Sequence, residues 1–190
     1  MSDRAAVFTE PLAAAYRVLE QTQVTGQTRA AVLGVGRLGQ LVARALASEG
    51  AHVTAIGRSG RKLALLQGLV AATVNESQIP PETRFDLVVE CTGSPDGLNK
   101  AINLVRPCGT IVLKSTTATP AALDTNRLVI DEIKVIGSRC GPFGKALQAL
   151  ERGDVDVAPL VSDVINLDNG AEAMRAAALP GAVKVLLEIN

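Results

Sequence analysis

The chain has 190 residues, in which 19 basic and 19 acidic side chains cancel, and an apolar content of 47% with only 2% aromatics. That balance excludes the broad basic field of a nucleic-acid binder or of a protein drawn to anionic membranes, and no apolar run reaches the ~18 residues of a membrane span. Cys91, Cys108 and Cys140 make neither an even disulfide set nor a C-x-x-C pair, and Met1 to Arg4 leads into no signal peptide, so a soluble cytoplasmic protein is expected.

The length suits one well-cored domain with an appendage. Without Trp, the core must come from Val, Leu, Ile and Ala, which favours parallel strands covered by helices. Val7 to Gln21 predicts a helix, with Thr9 as N-cap and Pro11 in the first turn. The polar run Gln21 to Thr28 breaks the pattern and predicts a loop.

Arg29 to Ser59 organises the rest. An apolar run, Ala30 to Leu33, turns through Gly34-Val35-Gly36-Arg37-Leu38-Gly39 into a helix with Leu38, Leu41, Val42, Ala45 and Leu46 on one face. A second apolar run, His52 to Ile56, closes the unit. Strand, glycine turn, helix and strand are the setting in which G-x-G-x-x-G signals a dinucleotide site. Gly34 permits the tight turn, Gly36 lets the backbone approach a pyrophosphate, and Gly39 lets the helix pack on the strands. The helix N-terminus then offers free N–H groups to the phosphates. The bland alternative is a glycine turn in another α/β fold.

An NAD site carries an acid about 20 residues past the glycines to grip the ribose 2′-hydroxyl. Here the stretch reads Ile56-Gly57-Arg58-Ser59-Gly60-Arg61-Lys62, with no acid. Gly57 makes room, Arg58 and Lys62 supply charge, and Ser59 can hydrogen-bond. A 2′-phosphate suits this turn better than a hydroxyl, so NADP is expected ahead of NAD; the alternative is a solvated basic turn.

Further along, a helix is expected over Gly60 to Leu69 with Leu63, Leu66 and Leu69 inward, then a short strand at Ala72 to Val74. Irregular chain follows from Asn75 to Arg84, around Pro80 and Pro81. Phe85 to Cys91 predicts a strand, Asp96 to Val105 a helix, and Gly109 to Lys114 a strand. A loop over 115–125, a helical turn at Asn126 to Asp131 and a sixth strand at Ile133 to Gly137 come next. This alternation implies a doubly wound parallel sheet, with its ligand where the strand order reverses. The tail departs from it: a helix ending at Gly153, two extended runs broken by Pro159, a helix from Leu167 to Leu179 capped by Asp168, and a strand over Ala182 to Ile189.

Together, FTEPLAAAYRVLE, VLGVGRLGQLVA, FDLVVECTGS, GTIVLKS, IGSRCGPF, VDVAPLVSDVINLDNGAEAM and GAVKVLLEI resemble the medium-chain dehydrogenase/reductase family, the zinc-dependent alcohol dehydrogenases. The resemblance covers nearly the whole chain but only the second half of a usual member. It implies a Rossmann fold with a small C-terminal α+β appendage, divided as 1–28 (entry helix and linker), 29–138 (dinucleotide-binding domain) and 139–190 (a segment that would pack on an absent catalytic domain). It places Gly34, Gly36, Arg37 and Leu38 along the pyrophosphate, and Gly57, Arg58, Ser59 and Lys62 around the adenosine ribose. Thr92 and Gly93 would flank adenine and its ribose. Lys114 and Ser115, with Val135 to Gly137, would approach the nicotinamide, and Lys184 the pyrophosphate. It further implies a homodimer through the sixth strand.

The family's zinc ligands and proton relay belong mostly to an N-terminal domain, and this chain begins where that domain would end. A catalytic zinc needs three protein ligands. The one histidine, His52, lies within a strand and is expected to be packed or capped, and Glu10 reads as a helix N-terminal acid. The cysteines read as structural, and no triad for hydrolysis exists. The expectation is therefore an NADP-preferring cofactor domain without zinc or catalytic residues, not active alone and with exposed apolar surface on its tail. The alternatives are a non-catalytic nucleotide-binding or redox-sensing module, or a reading frame begun at an internal start.

Overall fold

The computed structural model describes residues 1–120 and 122–189; Ala121, in the loop expected over 115–125, and Asn190 lie outside it. The chain runs α1 (Asp3–Ala6), α2 (Thr9–Gln21), β1 (Arg29–Leu33), α3 (Arg37–Ser48), β2 (His52–Gly57), α4 (Gly60–Ala64), β3 (Ala72–Asn75) and β4 (Phe85–Glu90). It continues through α5 (Gly97–Leu104), β5 (Val105–Leu113), α6 (Thr125–Ile130), β6 (Lys134–Gly137), α7 (Phe143–Arg152), β7 (Val161–Asn166), α8 (Gly170–Ala178) and β8 (Lys184–Glu188).

Both faces of the central strands are apolar, and both are covered. In β1, Ala30 and Val32 join a cluster with Leu12 and Tyr16 of α2, Leu41 and Leu46 of α3, and Ala146 and Leu150 of α7. Ala31 and Leu33 point the other way, to Val88, Ala101 and Ile102. Period-two alternation with two buried faces is what an interior parallel strand requires. The six strands pair in parallel in the order β3-β2-β1-β4-β5-β6. The order reverses between β1 and β4, whose ends at Leu33 and Glu90 lie side by side, and a doubly wound sheet binds its ligand there. The tail builds a separate parallel pair, β7 and β8, with α8 packed on it.

Several local expectations are corrected. Thr9 is not a cap: Phe8 before it is already helical, and the Thr9 hydroxyl donates to Ala6 O. Helix α4 stops at Ala64, and Gly68, at φ +77°, turns the chain out of the helical period. Leu63 and Leu66 are buried as expected, but Leu69 is 49% exposed. Asp168 caps nothing; it sits within a 3-10 turn, where its N–H donates to Asn166 Oδ1, and α8 begins at Gly170. Val155 and Val157 are buried without forming a strand, because a 3-10 turn carrying Pro159 intervenes before β7. The Pro-Cys-Gly segment lies inside a longer β5 as an irregularity against β4. His52 is exposed at the start of β2, neither packed nor capped. No helix among the described residues is long and apolar enough to cross a membrane.

Candidate functional site

The site starts with steric demands at the end of β1. Gly34 has φ +98°, and a Cβ there would stand 2.8 Å from the Cys91 backbone. A Cβ on Gly39 would lie 1.8 Å from Gly34 O, so α3 is pressed against the turn. Gly36 differs: a Cβ there would meet nothing within 4 Å. It is the N-cap of α3 and supplies no side-chain acceptor; the first helical bond runs from Gln40 N to Gly36 O at 2.9 Å. The N–H groups before Gln40 have no intrahelical acceptor and are free for an anion.

Gly34 and Gly36 border a cleft of about 290 Å³. Its walls bring together Gly34 and Gly36 from the glycine turn, Gly57, Arg58, Ser59 and Lys62 from the basic turn, and Thr92 from beyond β4. Open space over an uncapped helix start, beside two cations, suits an anionic group such as a phosphate. Ser59 Oγ accepts from Lys62 N at 3.4 Å and caps α4.

Under the cleft lies a buried polar brace. Gln40 is 0% and Arg44 4% exposed. Gln40 Nε2 donates to Lys62 O at 2.7 Å and to Val35 O at 3.4 Å. The Arg44 guanidinium donates to Gln40 Oε1, Leu65 O and Asp156 O at 2.9 to 3.0 Å. The glycine turn, the basic turn and the segment before β7 are thus tied to one helix face.

The other expected site residues are not in the wall of the cleft. Arg37 and Leu38 open α3; Arg37 is exposed, and Leu38 is half-buried against the core. Gly93 N donates to Ser115 Oγ at 2.8 Å, which joins the ends of β4 and β5. The Lys114 ammonium donates to Ala14 O, Ser138 Oγ and Arg139 O, so it straps β5 to α2 and to the chain after β6. Burial draws the Lys114 ammonium below its usual value. Val135 and Gly137 lie on the edge strand β6, and Gly137 O accepts from Gln21 Nε2 at 3.1 Å. Lys184, on β8, holds its ammonium 5.5 Å from the Phe8 ring centroid.

The cleft also contains residues that the sequence reading missed: Val35, Glu76, Cys91, Ser94 and Lys100. Glu76 directly follows β3 and Cys91 directly follows β4, so the rule that ligands sit at strand ends could have flagged both. Burial, helped by Glu90, pushes the Cys91 thiol well above its usual value. Among the described residues no three His, Cys, Asp or Glu side chains converge as a metal site would require.

Residues 37–153 match the family model described as zinc-binding dehydrogenase. A sorbitol dehydrogenase of Halalkalibacterium halodurans is 27% identical over 98% of this chain and 59% of its own length. L-idonate 5-dehydrogenase of Escherichia coli K-12 superposes with a TM-score of 0.90 at 28% identity, covering 98% of this chain and 57% of that one. A Sinorhizobium meliloti 1021 structure bound to NADP superposes with a TM-score of 0.88 at 24% identity, over 96% and 58%, a likeness of fold alone. The chain thus spans less than two thirds of the length of the relatives it matches.

Proposed function

This chain belongs to the zinc-binding dehydrogenase family, and on that premise we propose that it is the cofactor-holding part of an alcohol or polyol dehydrogenase, with NADP(H) preferred over NAD(H). One observation carries the preference: the end of β2 brings Arg58, Ser59 and Lys62, and no acid, into the wall of the glycine cleft. Two cations and a hydroxyl suit a 2′-phosphate, whereas a bare ribose hydroxyl would lack the carboxylate that an NAD site carries at the end of this strand.

When bound, the nicotinamide would supply hydride exchange with a carbonyl or alcohol carbon. This chain's part is to hold and orient. The first N–H groups of α3 would take the pyrophosphate, the basic turn the 2′-phosphate, and the joined ends of β4 and β5 would border the ribose and nicotinamide. The division at 1–28, 29–138 and 139–190, and a homodimer through β6, belong to the same reading. Without a cluster of metal donors among its described residues, the chain alone binds the cofactor and turns over no polyol.

Isothermal titration of the purified chain tests this. NADPH should bind about tenfold or more tighter than NADH, the worth of a charge-assisted contact, and Arg58→Ala should remove most of that margin. Equal affinities would overturn the NADP preference. The second reading, a non-catalytic nucleotide-binding or redox-sensing module, is favoured by the same lack of a donor cluster. Joining the chain to the preceding portion of a relative separates the two: polyol-dependent NADP⁺ reduction supports the first, and silence with intact binding supports the second.

A further inference from the structure

We infer that Lys100 and Glu76 form the specificity-determining pair of the adenosine end of the cleft: Lys100 is a third cation for the 2′-phosphate, and Glu76 is the carboxylate that holds it in place and limits its pull. The inference rests on the dinucleotide reading above and names residues outside the glycine and basic turns.

Topology brings the two together. β3 lies beside β2 with Asn75 registered on Gly57, so Glu76, the next residue, emerges at the same end of the sheet as Arg58. Lys100 stands on α5, the helix after β4. Its ammonium reaches Glu76 Oε1 at 2.5 Å and lies 3.7 Å from Asp96 Oδ2. Both partners of the bridge line the cleft that Arg58 and Lys62 also line.

The charges oppose one another in a way that separates the two cofactors. Glu76 is the one carboxylate among the residues of the cleft wall. It is the only group there that could accept from a ribose 2′-hydroxyl as an NAD-type acid does, yet its Oε1 already accepts from Lys100. A bare hydroxyl therefore meets a carboxylate whose charge is already shared with an ammonium, which makes it a weaker acceptor. A phosphate carrying close to two negative charges finds Arg58, Lys62 and Lys100 on one side of the balance and Glu76 on the other. The hydrogen bond that Lys100 donates to Glu76 also keeps the ammonium protonated to a higher pH than an ordinary lysine. The site arrives charged and ordered rather than waiting on a mobile side chain.

Calorimetric titration of the full chain with NADPH and with NADH, for wild type, Lys100→Gln and Glu76→Gln, tests the pair. Lys100→Gln should weaken NADPH about tenfold and, by releasing the Glu76 carboxylate, leave NADH unchanged or a few-fold tighter. Glu76→Gln should tighten NADPH about threefold to tenfold, because losing a negative charge beside the phosphate outweighs losing the tether on a partly exposed lysine, with little effect on NADH. An unchanged NADPH-to-NADH ratio in Lys100→Gln, or weaker NADH binding in Glu76→Gln, overturns the inference and leaves the cofactor reading standing. A wild-type chain that binds neither dinucleotide overturns both. Because the pair is partly exposed, both variants should retain the wild-type melting temperature to within a few degrees.

Discussion

Gly36 and Gly39 stand three residues apart in one turn, but the fold needs only the second. Gly39→Ala forces a methyl group onto Gly34 O and should cost about 1–3 kcal/mol or more in urea unfolding, because backbone must yield. Gly36→Asp meets no atom and places a favoured cap residue at the start of α3. It should unfold at or above the wild-type midpoint, yet bind no dinucleotide, since its carboxylate opposes the pyrophosphate. This separation of stability from binding is the residue-scale signature of a glycine kept for a ligand. The glycines, Arg58, Ser59 and Lys62 were legible because their chemistry is written in consecutive residues. Lys100 was not, since it stands on a helix 24 residues from Glu76 and only the folded sheet brings the two together.

At the scale of elements, two polar ties do what apolar packing does not. Arg44 joins α3 to the chain after α4 and to the segment before β7. Arg44→Leu should cost about 2–4 kcal/mol, because three acceptors lose their donor inside the protein; Arg44→Lys cannot supply the fork and should recover little. Helical spacing alone assigns that position to solvent, so the brace was invisible in the sequence. Asp86, on β4, accepts from Arg106 Nε of β5 at 2.6 Å and from Arg29 N of β1 at 2.9 Å. The Arg106 hydrogen bond, foremost, holds its carboxyl below the usual range against a smaller opposing effect of burial. The folded value is lower than the unfolded one, so this stability is complete above the ordinary carboxylate value near 4 and is lost as pH falls through the folded value. Asp86→Asn should flatten thermal stability across that acid range, by no more than about 1 kcal/mol at this half-exposed site. The central strands could be read from two-sided apolar runs. Leu69 and Asp168 were misread because a left-handed glycine and a 3-10 turn end a helical pattern without changing its composition.

For the whole molecule, the tail exposes apolar side chains, Met174, Leu179, Leu187 and Ile189 among them, as expected. β6 is an edge strand, and Val129 and Ile130, at the end of α6 shortly before it in the chain, are exposed, Ile130 to 77%. An unpaired edge beside apolar residues favours pairing with a second copy. Sedimentation should show a dimer that Ile130→Asp converts to monomer; a monomeric wild type would contradict the homodimer. The central claim, that the glycine cleft is a working dinucleotide site, is tested most directly by thermal unfolding with NADPH present at about 100 times its Kd. Ligand binding at that ratio adds about 2.7 kcal/mol, so the midpoint should rise by several degrees and Gly36→Asp should show no rise. A wild-type midpoint unmoved by either NADPH or NADH would contradict the account.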